Sequence, residues 1–214
     1  MSRRLLPWIL LALATSCGDS TSPLRADAYE WRLFVPAGGG GTDTLAFAWP
    51  GASLPVKIWA EDTLDLPAYA ANGITTWQDQ FLYAEFRGQM VPDSNDADII
   101  IVAGQLPATA RALRSMAREC EGGTDVPLDP STMILTPPFH IYIDPRLEDD
   151  VAALDSCLNF TTAHELGHAL GIFQHSPDPN DLMYSDPVVT APSTRDRNTV
   201  NRAYHTPTTI QLSR

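Results

Sequence analysis

The segment His164-Glu165-Leu166-Gly167-His168-Ala169-Leu170-Gly171-Ile172-Phe173-Gln174-His175 gathers three imidazoles and one carboxylate in a short run. On a helix, positions four apart lie one turn above each other, so His164 and His168 project from one face. Neutral imidazole nitrogens placed this way suit one divalent ion of tetrahedral preference, above all zinc. Glu165 is rotated by about 100° from His164, which sets its carboxylate beside such an ion, where it can serve as a general base rather than a ligand. Gly171 can take the left-handed conformation that stops a helix, and the returning chain then offers His175 as a third donor. Three protein ligands leave a fourth position for water, which is the catalytic arrangement; a structural zinc is normally closed by four.

A His-Glu-x-x-His run is short enough to arise by chance, and a histidine on an apolar helix is often a satisfied core residue. This helix, however, would bury a glutamate and two histidines among Ala163, Leu166, Leu170 and Phe173. A buried charge without compensation is costly, and a metal supplies the compensation. Architectures that take the third ligand from a downstream glutamate are excluded, because no glutamate follows Glu165. Asp178 and Asp181 remain alternative third ligands.

His164, Glu165, His168 and Gly171, followed by Asp181-Leu182-Met183-Tyr184, resemble the metzincin pattern H-E-x-x-H-x-x-G-x-x-H with its Met-turn. The pattern places its third histidine at the position held here by Gln174, a poor zinc ligand, so the third role passes to His175 and the turn after Gly171 must hold one extra residue. Leu-Met-Tyr after a short Ser/Pro/Asp loop is most similar to the matrixins, including their small bacterial relatives. The resemblance implies that Met183 forms a hydrophobic floor under the three histidines. Tyr184 follows Met183 directly, unlike the astacin-type tyrosine, and receives no zinc role.

The elements that must position this segment begin after residue 16. Arg3 and Arg4 precede a short apolar run, Leu5 to Ala14, as in an export signal too short to span a bilayer. Leu13-Ala14-Thr15-Ser16-Cys17 resembles a bacterial lipobox, which implies lipid attachment at Cys17; an ordinary cleaved signal with an incidental cysteine is the alternative. Gly18 to Pro23 would then be a flexible tether, and Gly18 directly after the cysteine, by resemblance to enterobacterial sorting, favours the outer membrane. With Cys17 lipidated, Cys120 and Cys157 remain as a candidate disulfide in an oxidising compartment, or as two buried thiols. No cysteine lies in a prodomain-like segment, so a matrixin cysteine switch is absent. Against 14 Lys and Arg stand 26 Asp and Glu, a net charge of −12, and removal of residues 1–16 deletes two arginines and no acid. Such a surface repels phosphate backbones and excludes a nucleic-acid partner.

Tyr29 to Val35 alternates as a strand, and Thr44 to Trp49 is either its hairpin partner or linker. The Gly38–Gly41 run lacks the Lys-Ser/Thr of a phosphate loop. Leu54 to Ala60, Ala84 to Val91 and Asp98 to Val102 read as sheet strands, the last buried on both faces. Tyr69, Ile74, Trp77 and Phe81 mark one stripe of a helix over 66–81. Residues 107–119 are expected to form a short helix and 120–131 a loop. Met133 to Leu135 and Phe139 to Ile143 are strands, and the resemblance makes one of them the edge along which an extended peptide pairs. Ser156 or Asn159 caps the zinc helix. Ser193-Thr194-Arg195-Asp196 opens a final helix to about Tyr204, with Val200 and Tyr204 inward. Asp93, Asp96, Asp125 and Asp129 could offer oxygens to calcium, although solvated turns explain them as well. His140 and His205 lack ligand spacing and are assigned structural roles.

The fold expectation is α+β: a metzincin-like, twisted, mostly parallel sheet on two long helices, with a small C-terminal subdomain carrying the Met-turn and the final helix. The division is a signal peptide over 1–16, a tether with a possible extra strand over 17–43, and a zinc metallopeptidase domain over 44–214. The resemblance implies an exported, lipid-anchored or secreted monomeric endopeptidase that hydrolyses extracytoplasmic proteins by Glu165-assisted attack of a zinc-bound water. The rivals are a surface-anchored adhesion protein on an inactive zinc scaffold and a zinc hydrolase of cell-wall amides.

Overall fold

The computed structural model describes residues 27–37, 39–108, 112–115, 120–146 and 150–213. The expected signal peptide, Cys17 and the start of the tether lie outside the described residues.

Two short strands, β1 (Leu33–Pro36) and β2 (Thr42–Leu45), form an antiparallel hairpin across the glycine run. Tyr29, Trp31, Leu33 and Val35 enter the main hydrophobic core with Phe47 and Trp49, so the compact unit takes in this segment as well as the residues after 44. The central sheet is built from β3 (Val56–Ala60), β4 (Gly88–Met90), β5 (Ile99–Ala103), β6 (Ala112–Ser115), β7 (Cys120–Asp125) and β10 (Phe139–Pro145), in the order β4-β3-β5-β10-β7-β6. Strands β4, β3, β5 and β10 run parallel; β7 is antiparallel to both of its neighbours. A second small sheet joins β8 (Leu128–Asp129), β9 (Ile134–Leu135) and β11 (Gln211–Leu212).

Helix α1 (Leu66–Gln78) lies against β3 and β4, and α2 (Val151–Ala169) against β7 and β10, with the two helices packed on each other. Their approach is close: a Cβ at Gly73 would stand 2.7 Å from Leu166 Cδ1, and the Trp77 indole N–H donates to the Ala163 carbonyl at 2.7 Å. A third helix, α3 (Thr194–Tyr204), begins with a full capping box between Ser193 and Asp196. These match the expected mixed α+β class with a mostly parallel central sheet.

Four local expectations are corrected. Helix α2 starts at Val151 with Asp150 as cap, its side chain accepting from Ala153 N, and not at Ser156 or Asn159; Ala152, Ala153 and Leu154 are good helix formers that carry it two turns further. The expected loop at 120–131 begins as strand β7, because β10 and β6 both offer it backbone partners. Within the expected helix 107–119, the described residues 112–115 are strand β6; residues 109–111 and 116–119 lie outside the described residues. Phe139–Pro145 is interior, flanked by β5 and β7, and Ile134–Leu135 belongs to the small sheet, so neither is the expected edge; among the described residues β6 is the outermost strand on this side. In β5, Ile99 and Ile101 are fully buried while Ile100 and Val102 are half-buried, so one face is sealed more completely than the other.

Candidate metal centre

Helix α2 is buried on every side from Phe160 to Leu170, the condition of a helix enclosed between sheet, α1 and the C-terminal segment. His164, Glu165 and His168 are therefore all inaccessible to solvent. After Ala169 the helix ends in a Schellman turn: Ile172 N–H donates to the Gly167 carbonyl at 3.2 Å and Gly171 N–H to His168 at 3.0 Å. Gly171 has φ of 104°, and a Cβ there would collide with the Phe47 carbonyl. Two independent constraints thus select glycine.

This turn reverses the chain. Phe173 N–H donates to the Trp31 carbonyl at 2.6 Å, and the Gln174 amide donates to the Arg32 carbonyl at 3.1 Å. Gln174 is spent on the N-terminal segment, which frees the next residue, His175, to swing toward the helix. Its Nε2 lies 3.3 Å from that of His168, and the Nε2 atoms of His168 and His164 are 3.1 Å apart. One ligand atom from each of the three histidines falls within 4.8 Å of the others.

The tautomers follow from the neighbours. His164 Nδ1 lies 2.7 Å from the Leu182 carbonyl, and His168 Nδ1 lies 2.5 Å from the Ile172 carbonyl. A carbonyl oxygen only accepts, so each Nδ1 carries the proton and each Nε2 presents a lone pair. Two lone pairs about 3 Å apart repel unless a cation lies between them. Ligand nitrogens about 2.0–2.1 Å from a tetrahedral ion stand about 3.3–3.4 Å from each other, close to the spacing found. The donor set fits a zinc-type ion, and the Leu182 and Ile172 carbonyls orient its first two ligands. Burial is the main cause that lowers the pKa of all three imidazoles, to about 3 for His164, whose bond to Leu182 pulls the other way. They are held neutral, as ligands must be.

Met183 is fully buried beneath α2. A Cβ at Gly167 would overlap its Sδ and stand 2.7 Å from Trp77 Cζ2, so Gly167 makes the space Met183 occupies. The loop bearing Met183 is closed by Ser176 N–H donating to the Met183 carbonyl at 2.7 Å. Asp178 and Asp181, the alternative ligands, are turned to Arg195, which pairs with the first and lies 3.2 Å from the second. Among the described residues, the histidine trio is the one convergent group of three or more such ligands. Asp93 and Asp129 accept backbone N–H groups within their own turns. His205 faces Glu85 at 3.1 Å, and His140 stacks near Tyr142.

The sequence did not single out Thr124 or Gly122, and it marked Asp196 only as a partner in the cap of α3. Thr124 Oγ1 lies 2.7 Å from Glu165 Oε2. Asp196 accepts from Leu182 N–H at 2.7 Å, fixing the residue whose carbonyl holds His164. The disulfide joins Cys120, the first residue of β7, to Cys157 in α2.

No protein-family model matches the chain, and no curated protein matches it in sequence. Among solved structures, one of myroilysin overlaps with a TM-score of 0.41 and 14% identity, covering 75% of this chain and 96% of that one. A crystal structure of myroilysin overlaps with a TM-score of 0.32 and 20% identity, covering 78% of this chain and 67% of that one. Overlaps so slight leave the geometry of the site to bear the functional reading.

Proposed function

We propose that this protein is a zinc-dependent endopeptidase of metzincin type, matrixin-like in its Met-turn. The observation that carries the reading is the convergence of three Nε2 lone pairs, two of them set by Nδ1 bonds to backbone carbonyls. His164, His168 and His175 would hold the ion. Bound zinc would polarise a scissile carbonyl and bring the pKa of water toward about 7. Glu165 takes a proton from the attacking water and delivers it to the departing amine nitrogen. Met183 packs beneath the ligands and contributes no chemistry.

The substrate is an extended segment of an extracytoplasmic protein, and the sheet edge at β6 offers backbone groups for it to pair with. The protein is exported and held at the cell envelope through Cys17, with the outer membrane favoured, and acts as a monomer.

Elemental analysis of the purified protein should find one zinc per chain, and casein cleavage should stop when a chelator removes it. Glu165→Ala should keep the zinc and lose hydrolysis. An active Glu165→Ala variant would remove the assigned base, and cleavage of peptidoglycan in place of casein would move the substrate to cell-wall amides.

A further inference from the structure

Strand β7 and helix α2 meet along matched rows of side chains. On β7, residues 120, 122 and 124 share a face; on α2, residues 157, 161 and 165 do. Two strand residues advance about 6.8 Å and four helix residues about 6.0 Å, so the rows stay nearly in step. Cys120 is bonded to Cys157. Gly122 comes next: a Cβ there would lie 2.5 Å from Thr161 Cγ2, 2.5 Å from Glu165 Oε1 and 2.8 Å from Glu165 Cγ. The last rung pairs Thr124 with Glu165. The fully buried Thr124 hydroxyl lies 2.7 Å from Glu165 Oε2 and 3.0 Å from the Glu165 carbonyl oxygen.

We propose that Thr124 is a positioning residue for Glu165, its hydroxyl and the open space over Gly122 together fixing where the carboxylate stands. The inference rests on the peptidase reading, in which Glu165 is the base. A carboxylate can be reached by several torsions, and the rotamer it adopts decides whether an oxygen faces the attacking water. The hydroxyl donates to the carboxylate, and the missing Cβ at Gly122 lets the Glu165 Cγ and Oε1 lie flat on the strand. The disulfide sets the register of strand against helix two residues upstream. Misplacing a catalytic group by about 1 Å can cost about 100-fold in rate.

The test uses the full-length protein carrying Thr124→Val, which keeps the shape and removes the hydroxyl, and Thr124→Ser, which keeps the hydroxyl. Thr124→Val should lower kcat by roughly 10- to 100-fold, with KM and zinc content unchanged, and Thr124→Ser should recover most of it. A Val variant with the parental kcat, or a Ser variant as slow as Val, overturns the proposal, the second outcome because packing alone would then explain the loss. A double-mutant cycle of Thr124→Val with Glu165→Ala, read from urea midpoints, tests the pair without turnover. Non-additive midpoints are expected; additive ones overturn the pairing. A parent protein that binds zinc and cleaves nothing would instead sink the peptidase reading, and the cycle would still decide whether Thr124 holds Glu165.

Discussion

The carboxylate of Asp196 accepts a hydrogen bond from the backbone N–H of Leu182 at 2.7 Å, and Leu182 in turn accepts the Nδ1 proton of His164 through its carbonyl. The same carboxylate accepts from Ser193 N–H at 2.9 Å and from the Tyr29 hydroxyl at 2.7 Å. One buried acid on α3 therefore joins the helix start, the Met-turn and the N-terminal segment to a metal ligand. Burial raises the pKa of its carboxyl, and its three donors oppose the rise.

Asp196→Ala should leave those three donors without their acceptor. Each buried polar group so stranded costs about 1–3 kcal/mol, so a loss of roughly 3 kcal/mol or more in urea unfolding is expected. Zinc affinity, read by competition with a chromogenic chelator, should fall about 10- to 100-fold because His164 loses its orienting carbonyl. Unchanged affinity would show that Leu182 stays in place without Asp196.

Gln174 and His175 separate by their duties. His175→Ala should abolish stoichiometric zinc binding. Gln174→Ala should retain zinc and lose the bond to the Arg32 carbonyl, at about 1 kcal/mol of stability. The opposite pattern in metal analysis would return the third-ligand role to position 174.

The residues that do local work were legible in the sequence. The spacing of His164 and His168, the stop at Gly171 and the Ser193–Asp196 capping box each depend on neighbours within one or two helical turns, and sequence displays such neighbours directly. Strand β7 was not legible. Cys120-Glu121-Gly122-Gly123-Thr124-Asp125 lacks apolar alternation and looks like a turn, because its glycines answer to distant partners. Gly122 makes room for Glu165, and a Cβ at Gly123 would stand 3.2 Å from Leu106 Cδ1. Missing β7 also misplaced the sheet edge, since β10 reads as an edge only while the strand beyond it is unseen. Asp150 escaped notice as a cap because Ser156 and Asn159 offered polar starts nearer the buried stretch.

Gly167 offers a packing test independent of metal. Alanine normally stabilises a helix interior by about 1 kcal/mol over glycine, but here the added methyl would meet Met183 and Trp77. Overpacking of about 1–3 kcal/mol should prevail, giving a lower melting temperature for Gly167→Ala. A raised melting temperature would mean that Met183 is free to move aside.

The metal-free protein should weaken in acid. An unfolded imidazole takes up its proton near pH 6.5, whereas His164 in the fold does so only at about 3, and His168 and His175 are also lowered, each chiefly by burial. Below pH 6.5 the unfolded chain then binds more protons than the folded one, so stability is full above that value and falls as the pH drops toward 3. For the two fully buried histidines the slope approaches about 1.4 kcal/mol per pH unit each. Zinc steepens the fall, because protons compete for the same Nε2 lone pairs. Urea midpoints of chelator-treated protein measured from pH 7.5 to 4.5 check this. A flat profile would mean that the imidazoles titrate in the fold as they do in the open chain, and the neutral, lone-pair-inward arrangement of His164 and His168 would have to be given up.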